Sequence, residues 1–266
     1  MDKLEKLINW FRDRESVLVA FSGGVDSALL LAVGAQVLGE KVLAVTVKSP
    51  LNNPAELAVA QGLAKSLNVQ HLIIEINDLD NPHVSNNPPE RCYYCKKARM
   101  EMLKDLAREK GIEAVVEGSN VDDAKDYRPG RKAVRELGIY SPLEEVGLTK
   151  EEIRSLARKL NLPVWDKPSE PCLATRFPFG TQLTLENLTK VLKAEEFIKK
   201  KLLVNQVRVR DYQDLARIEV EEKFLTQVVE NRLEIISAFK KLGYKYITLD
   251  LMGYRTGSMN EVGGNR

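Results

Sequence analysis

The stretch Val17-Leu18-Val19-Ala20-Phe21-Ser22-Gly23-Gly24-Val25-Asp26-Ser27 decides the fold, because an apolar run stops in a polar glycine turn and Ala28-Leu29-Leu30-Leu31 follows. Five consecutive apolar residues are typical of a strand that is buried on both faces. Glycines let backbone N–H groups approach an anion closely, and a helix that follows directs its positive end at that anion. The stretch therefore predicts a strand, a phosphate-binding loop and a helix.

The turn differs from the two common nucleotide-binding loops. It has neither the G-x-x-x-x-G-K-[ST] spacing of the Walker loop nor the G-x-G-x-x-G of dinucleotide binders. Ser22-Gly23-Gly24-Val25-Asp26-Ser27 resembles instead the pyrophosphate loop (PP loop) of the N-type ATP pyrophosphatases. Those enzymes cleave ATP to AMP and pyrophosphate. The alternative is a glycine-rich turn that binds no ligand.

The composition is that of a globular protein, since 44% of the 266 residues are hydrophobic and 29% are charged. The sequence contains no apolar run of membrane-spanning length and no secretory signal at its start, so we expect a cytoplasmic protein without membrane partners. A net charge of +2 argues against a large nucleic-acid substrate. Three cysteines, an odd number, argue against a disulfide framework and favour metal or redox chemistry.

Strands and helices alternate in the first part of the chain. Apolar runs predict further strands at 42–47, 69–76 and 112–116, and a helix capped by Asn53 lies between the first two of these. The alternation predicts an α/β fold with a doubly wound parallel sheet. Ligands bind such sheets at the carboxyl ends of the strands, where the PP loop is expected.

The pattern changes after a proline-rich segment around Cys172. The elements predicted beyond it are a helix at 185–202, strands at 204–209 and 216–220, a long helix to about residue 242, and a last strand at 246–251. We therefore predict a nucleotide-binding domain at 1–178, a smaller α+β domain for substrate binding or oligomerisation at 179–254, and a mobile tail at 255–266.

Three cysteine thiols form the second group of candidate functional residues. Cys92 and Cys95 make a C-x-x-C pair that opens a predicted helix, and Cys172 is the third. Four interpretations stay open: a redox pair, a structural zinc with His83 as a fourth ligand, inert thiols, and an iron–sulfur cluster held by three thiolates. A cluster with three cysteine ligands leaves one iron open to hydrosulfide, which could attack a carboxylate or carbonyl that ATP has activated.

Longer segments carry a more specific resemblance. Besides the PP loop they are Glu117-Gly118-Ser119-Asn120-Val121-Asp122-Asp123, Asp126-Tyr127-Arg128-Pro129-Gly130, Pro168-Ser169-Glu170-Pro171-Cys172-Leu173-Ala174-Thr175-Arg176 and Val207-Arg208-Val209-Arg210. Together they resemble the ATP-dependent sulfur transferases of the LarE family over most of the chain. Those enzymes thiolate pyridinium-3,5-biscarboxylic acid mononucleotide on the way to the nickel-pincer cofactor of lactate racemase.

The resemblance also implies which form of the family this chain represents. In one form a single cysteine at the position of Cys172 gives up its own sulfur. In the other form that cysteine joins a C-x-x-C pair to hold a 4Fe-4S cluster. Because Cys92 and Cys95 are present, the chain resembles the cluster form.

The resemblance further implies an adenine nucleotide α hydrolase-like (PP-loop) fold and a role for each matching residue. The residues expected to bind ATP are Ser22, Gly23, Gly24, Asp26, Ser27, Thr46 and Gly118. The candidate catalytic residues are Asp26 and Cys172. Of these, Asp26 would reach Mg²⁺. The candidate cluster ligands are Cys92, Cys95 and Cys172, and the candidate ligands of the substrate phosphate are Arg176, Arg208 and Arg210.

Two expectations about charged side chains are open to direct inspection. Arg208 and Arg210 could, instead of binding phosphate, lie on a strand face that is in contact with water. For Glu195 and Glu196 in the predicted helix we expect exposure to solvent rather than a role near the substrate.

The predicted function is that of an ATP-dependent sulfur transferase, which adenylates a substrate carboxylate and replaces oxygen by sulfur that the 4Fe-4S cluster delivers. Its cofactors would be the cluster, ATP and Mg²⁺. Its partners would be a small mononucleotide, a sulfide or persulfide donor and further copies of the chain in a homo-oligomer. A tRNA thiolase with a three-cysteine cluster is the nearest alternative, and a non-catalytic ATP-binding regulatory module is the alternative from another class.

Overall fold

The computed structural model describes residues 2–125 and 129–255. Part of one motif quoted above, at 126–128, and the predicted tail from residue 256 onward lie outside the described residues. Among the residues that are described, no helix combines the length and the apolar character needed to cross a membrane.

The strands are β1 (Val17–Ala20), β2 (Val42–Lys48), β3 (Gln70–Glu75), β4 (Ala114–Val116), β5 (Val207–Tyr212), β6 (Leu215–Val220) and β7 (Tyr246–Leu249). The α-helices are α1 (Lys3–Arg12), α2 (Val25–Leu38), α3 (Pro54–Ser66), α4 (Pro82–Ser85), α5 (Arg91–Glu109), α6 (Gly130–Glu136), α7 (Pro142–Glu145), α8 (Lys150–Lys159), α9 (Leu185–Leu202), α10 (Leu225–Glu230) and α11 (Arg232–Lys241).

The chain divides into two compact units, of which the first comprises residues 1–78 and 90–169 and the second comprises 79–89 and 170–266. The second unit therefore starts before the predicted boundary at 178, and it includes the segment around α4. Backbone hydrogen bonds explain this, because Leu183 donates to the Ser85 carbonyl at 2.7 Å and Gly180 donates to the Asn87 carbonyl at 2.9 Å.

The first unit contains the predicted parallel sheet, with strand order β3-β2-β1-β4. Val17 of β1 pairs with Val42 of β2 on one side and with Ala114 of β4 on the other. Val17 and α2 contribute to one apolar core, whereas Leu18 lies in a second core with Leu103 of α5. The side chains of β1 thus alternate between helices on both faces of the sheet, which confirms the doubly wound α/β fold.

The second unit contains a smaller mixed sheet, in which β6 pairs antiparallel with β5 and parallel with β7. Helix α9 has the predicted bounds, but β5 begins later than predicted because the helix ends at Leu203 in a left-handed turn with φ of 53°. The predicted long helix is two helices, α10 and α11. The break is at Asn231, whose side-chain amide donates to the Gln227 carbonyl at 2.8 Å.

The PP loop depends on a glycine that no other residue can replace without strain. Gly23 has φ of +76°, and a Cβ atom added to it would lie 3.1 Å from both the Cβ and the backbone nitrogen of Ala60 in α3. Gly62, in the same helix, has open space around the position of its missing Cβ.

We expect Gly23→Ala to lower the free energy of unfolding by about 1–3 kcal/mol, because it forces a left-handed conformation and a close contact with α3. The control is Gly62→Ala, which should raise the free energy of unfolding by about 0.5–1 kcal/mol, since alanine restricts the unfolded chain. Urea unfolding followed by circular dichroism measures both. Equal effects of the two variants would contradict the close packing of the loop against α3.

Candidate functional site: a PP loop and a buried arginine cluster

The PP loop joins β1 to α2, and its polar atoms bond to one another. The backbone N–H of Ser22 donates to Ser27 Oγ at 3.3 Å, and that of Gly24 donates to Ser22 Oγ at 3.3 Å. The Ser27 hydroxyl in turn donates to the Gly24 carbonyl at 3.1 Å. Because the N-cap residue of α2 is Gly24, which has no side chain to cap the helix, the first N–H groups of α2 are suited to an anion.

Asp26 lies in the first turn of α2 and is oriented by two side chains. The Asn120 amide donates to Asp26 Oδ1 at 3.3 Å, and the Lys150 ammonium pairs with Oδ2. The backbone fixes both partners, since Asn120 N–H donates to Asp123 at 3.0 Å and Lys150 N–H donates to Asp122 at 2.8 Å. An oriented carboxylate beside a phosphate loop is a suitable ligand for the Mg²⁺ that accompanies ATP.

Thr46 lies in β2 and Gly118 follows β4, the two strands that flank β1 in the first sheet, and both lie beside the loop. The Thr46 hydroxyl donates to the Phe21 carbonyl at 2.7 Å and lies 2.7 Å from His71 Nε2. Since that hydroxyl hydrogen is used, Nε2 of His71 is the donor to Thr46, and burial lowers the pKa of His71 in agreement with a neutral ring. A Cβ on Gly118 would lie 3.2 Å from the Ser27 nitrogen, so a larger residue there would press against the start of α2.

A buried ion pair connects the end of β4 to helix α5. The Glu117 carboxylate accepts hydrogen bonds from Lys96 Nζ at 2.8 Å, from the Ser119 N–H at 3.0 Å and from the Ser141 hydroxyl at 2.7 Å. Burial alone would raise the pKa of Glu117, but the charge of Lys96 and these hydrogen bonds outweigh it and lower the pKa to about 2. The pair places α5, which carries two of the cysteines, against the segment that ends in Gly118.

None of the three cysteines forms a disulfide, and Cys92 is exposed while Cys95 and Cys172 are partly exposed. Cys92 lies in the first turn of α5 and Cys95 at the start of the second, which confirms that the C-x-x-C pair opens a helix. The Cys95 sulfur is 3.9 Å from Asp78 Oδ1, and Arg99 Nη2 pairs with the same carboxylate at 2.5 Å. Both sulfur atoms lie near the N-terminal end of one helix, and sulfur ligands of this type are suited to bind a soft metal.

Cys172 belongs to the second unit, where it precedes a short 3₁₀ helix at Leu173–Arg176. Its carbonyl accepts hydrogen bonds from the N–H of Thr175 at 3.0 Å and from the Thr175 hydroxyl at 2.9 Å. Among the described residues there is no group of three or more His, Cys, Asp or Glu side chains arranged to hold a metal ion. Metal binding by the cysteines therefore stays a prediction.

The three arginines predicted to bind phosphate lie in the interior of the second unit. Arg176 and Arg208 are each 1% exposed and Arg210 is 5% exposed, so the alternative of a strand face in water is wrong. Glu195 is also buried, at 2%, which corrects the expectation that it faces solvent, whereas Glu196 is exposed as expected. Buried charges are expensive and need partners, and the sequence alone did not show them.

Two buried glutamates orient Arg176 and Arg210. Glu195 accepts two hydrogen bonds from Arg176, at 2.9 and 3.0 Å, and one from the Val209 N–H at 3.0 Å. Glu219 accepts one from Arg210 at 2.7 Å. The forked contact with Glu195 fixes the Arg176 guanidinium in one orientation.

The charges within this cluster affect the basicity of its members in opposite directions. Burial would lower the pKa of Arg176, but the neighbouring Glu195 outweighs it and raises that pKa. At Arg208, burial and the positive charge of Arg176 together lower the pKa despite nearby carboxylates. A bound anion would therefore stabilise the charged form of Arg208.

Comparison with known proteins identifies the family of the chain. A family model described as the PP-loop domain matches residues 1–127. An uncharacterised protein of Synechocystis is 42% identical over 98% of this chain and 97% of its own length. The pyridinium-3,5-bisthiocarboxylic acid mononucleotide synthase of Lactiplantibacillus plantarum is 38% identical over 98% of this chain and 94% of its own length. The chain belongs to the LarE family.

Two further relatives show how far the similarity extends. An uncharacterised protein of Methanocaldococcus jannaschii is 34% identical over 96% of this chain and 98% of its own length. A tRNA-specific 2-thiouridylase of Rickettsia africae is only 26% identical, over 61% of this chain and 54% of its own length. Membership of the LarE family thus rests on relatives that match both units, while the tRNA enzyme matches a part.

Sequence reasoning missed several residues that the structure places at these sites. In the first unit Lys150 pairs with Asp26 and Lys96 pairs with Glu117. In the second unit Glu219 pairs with Arg210. A signal existed for Lys150, because it follows the capping residue Thr149 of α8 and so has a fixed backbone position. No local pattern marked the other partners, which are distant in the chain or face the interior of a strand.

We expect the Glu117–Lys96 pair to make folding stability depend on pH. Because the pKa of Glu117 falls from 4.5 to about 2 on folding, its contribution is complete above about pH 4.5 and is lost as the pH falls towards 2. Urea unfolding at pH 3 to 7 should therefore show a steeper loss of stability at low pH for the wild type than for Glu117→Gln. Parallel curves would contradict the lowered pKa.

Proposed function

We propose that this protein is an ATP-dependent sulfur transferase that thiolates pyridinium-3,5-biscarboxylic acid mononucleotide and releases AMP and pyrophosphate. The observation that carries the proposal is the similarity to the Lactiplantibacillus synthase over 98% of the chain, because it includes the second unit. A PP loop by itself occurs in enzymes with many different acceptors. The buried arginines of the second unit supply the chemistry that a mononucleotide phosphate requires.

The first step is activation of the substrate carboxylate. A carboxylate oxygen attacks the α-phosphorus of ATP, the bond to the bridging oxygen of pyrophosphate breaks, and an acyl adenylate forms. The N–H groups at the start of α2 and the hydroxyls of Ser22 and Ser27 bind the phosphate chain, and Asp26 holds the magnesium. The backbone near Thr46 and Gly118 flanks the adenosine. Lys150 orients Asp26 until the cation arrives.

The second step replaces oxygen by sulfur. Hydrosulfide from the sulfur donor adds to the acyl carbon, and AMP leaves with the oxygen that had bridged carbon and phosphorus, so that a thiocarboxylate forms. Arg176, Arg208 and Arg210 hold the phosphate of the substrate during both steps. Guanidinium groups suit this dianion because they donate paired hydrogen bonds and stay charged when buried.

The donor set fits a 4Fe-4S cluster held by Cys92, Cys95 and Cys172. None of these three residues forms a disulfide, and thiolates are the soft ligands that such a cluster requires. When bound, a cluster with three protein ligands would supply one iron at which hydrosulfide can coordinate. The role of the chain would be to provide the thiolates, two of them from the first two turns of α5.

The alternatives make different demands on the protein. A tRNA thiolase would need an extended basic surface, yet the net charge of the chain is only +2. The three arginines of the second unit are buried beside carboxylates and so do not form such a surface. A regulatory module would bind ATP without cleaving it.

A homo-oligomeric state remains part of the proposal.

The proposed activity predicts AMP and pyrophosphate, formed from ATP when the biscarboxylate mononucleotide is present. Asp26→Asn should lower this rate by about a hundredfold or more, because a magnesium ligand is lost. The control is Asp105→Asn, which changes an exposed carboxylate of α5 and should leave the rate unchanged. Separation of the nucleotides by ion exchange gives the answer. ADP and phosphate as products, or an Asp26→Asn variant as fast as the control, would refute the proposal.

The proposed cluster predicts iron and sulfide in protein that is reconstituted without oxygen. Each of Cys92→Ser, Cys95→Ser and Cys172→Ser should lower the iron content and the visible absorption, since the chain has three cysteines and loses one of three ligands each time. Folding of each variant is checked by its thermal unfolding. A wild type that binds zinc but no iron, or a Cys172→Ser variant with full iron content, would exclude the three-cysteine cluster.

A further inference from the structure

One carboxylate of the second unit lies among the cations that are proposed to bind the substrate phosphate. Glu170 Oε2 is 3.6 Å from Nη2 of Arg176 and 3.4 Å from Nη2 of Arg208. Glu170 Oε1 accepts a hydrogen bond from Lys199 Nζ at 3.0 Å. The Glu170 carboxylate therefore has three cationic side chains within 3.6 Å.

Glu170 is held more loosely than the other carboxylates of the cluster. Glu195 binds Arg176 with two contacts of 2.9 and 3.0 Å, and Glu219 binds Arg210 at 2.7 Å. Glu170 Oε2, by contrast, is buried and has no hydrogen-bond partner among the described residues. Distances of 3.4 Å and more give Coulomb attraction without a good hydrogen bond. Glu195 and Glu219 thus orient arginines, whereas Glu170 only neutralises them.

A phosphate group would fit these cations better than the single carboxylate does. It carries up to two negative charges and three acceptor oxygens, which match Arg176, Arg208 and Lys199. Arg208 has a lowered pKa because it is buried beside Arg176, so a second negative charge would stabilise it. The carboxylate and the phosphate cannot occupy the same position.

The exposure of the side chains shows how the Glu170 carboxylate can leave the cluster when a phosphate enters. Glu170 and Lys199 are 12% and 25% exposed, whereas Arg176 and Arg208 are 1% exposed, so Glu170 lies on the solvent side of the cluster. The backbone beyond Glu170 is held independently, because Nη1 of Arg176 donates to the Pro171 carbonyl at 2.9 Å. The Glu170 side chain can therefore turn out to water while the backbone next to Cys172 stays in place.

We propose that Glu170 is an internal occupant of the phosphate site, which the substrate phosphate displaces, and that Lys199 becomes a phosphate ligand after the exchange. This inference rests on the proposed function, because it requires the arginine cluster to bind a phosphate. Glu170 then lowers the affinity for the substrate, because it competes with the substrate phosphate for the same cations. Between turnovers it neutralises the buried arginines.

Calorimetric titration of the full-length protein with nicotinate mononucleotide tests the exchange. This probe is a pyridinium carboxylate with a ribose phosphate, and α,β-methylene-ATP with Mg²⁺ is present to occupy the PP loop. Glu170→Gln should bind the probe about fivefold more tightly than the wild type, equivalent to about 1 kcal/mol, because a competing charge is gone. Glu170→Asp, whose shorter side chain reaches the cations less well, should also bind more tightly and serves if the first variant does not fold.

The controls separate this inference from the proposed function. Glu230→Gln removes an exposed negative charge from α10 and should bind like the wild type. Nicotinate riboside, which lacks the phosphate, should show no gain from Glu170→Gln. In the Glu170→Gln background, Lys199→Met should reverse the gain, because a cation of the site is lost.

The Arg208→Ala variant shows whether a negative result refutes the role of Glu170 or the phosphate site itself. If Arg208→Ala weakens binding of the mononucleotide while Glu170→Gln binds with unchanged or lower affinity, the phosphate site stands and the role of Glu170 is refuted. If Arg208→Ala binds the mononucleotide as well as the wild type, the phosphate site of the proposed function is refuted, and the exchange with it.

Discussion

The structure of the first unit depends on one constraint, which is that backbone N–H groups must surround an anion at the end of a buried strand. Strand β1 can end there because its side chains are buried on both faces, so its position is fixed by two apolar cores. The chain then turns through Gly23 at φ of +76° and enters α2 without a side-chain cap. Gly118 allows the segment after β4 to pass within contact distance of the same turn. Each of these features leaves room for phosphate where a side chain would otherwise lie.

The second unit holds three guanidinium groups in its interior, away from water. Burying Arg176, Arg208 and Arg210 costs free energy, and well-packed apolar residues of similar size would often be at least as stable. The carboxylates of Glu195 and Glu219 reduce that cost and also fix the direction of the Arg176 and Arg210 guanidinium groups. Under the proposed function such an arrangement is preorganised for the substrate phosphate, because these side chains do not have to be ordered when it binds.

The sequence predicts the elements of this structure better than their partners. The PP loop, the parallel sheet, the start of α5 at the C-x-x-C pair and both ends of α9 follow from local patterns of apolar residues, glycines and caps. The burial of Arg208 and Arg210 does not, because alternation on a strand is the same whether a polar face meets water or a buried carboxylate. The orientation of Arg176 and Arg210 depends on Glu195 and Glu219, which reach them through contacts that no short sequence pattern encodes. The membership of residues 79–89 in the second unit is likewise set by pairing with the chain near residue 180.

The central claim is that a substrate carboxylate attacks the α-phosphorus of ATP before sulfur enters. The most direct measurement uses pyridinium-3,5-biscarboxylic acid mononucleotide labelled with ¹⁸O in its carboxylates, together with ATP, Mg²⁺, a sulfide source and the enzyme reconstituted without oxygen. Mass spectrometry of the AMP should find one ¹⁸O atom for each sulfur introduced into the substrate, because the bridging oxygen leaves with AMP. Unlabelled AMP beside a thiolated product, or ADP in place of AMP, would contradict the account.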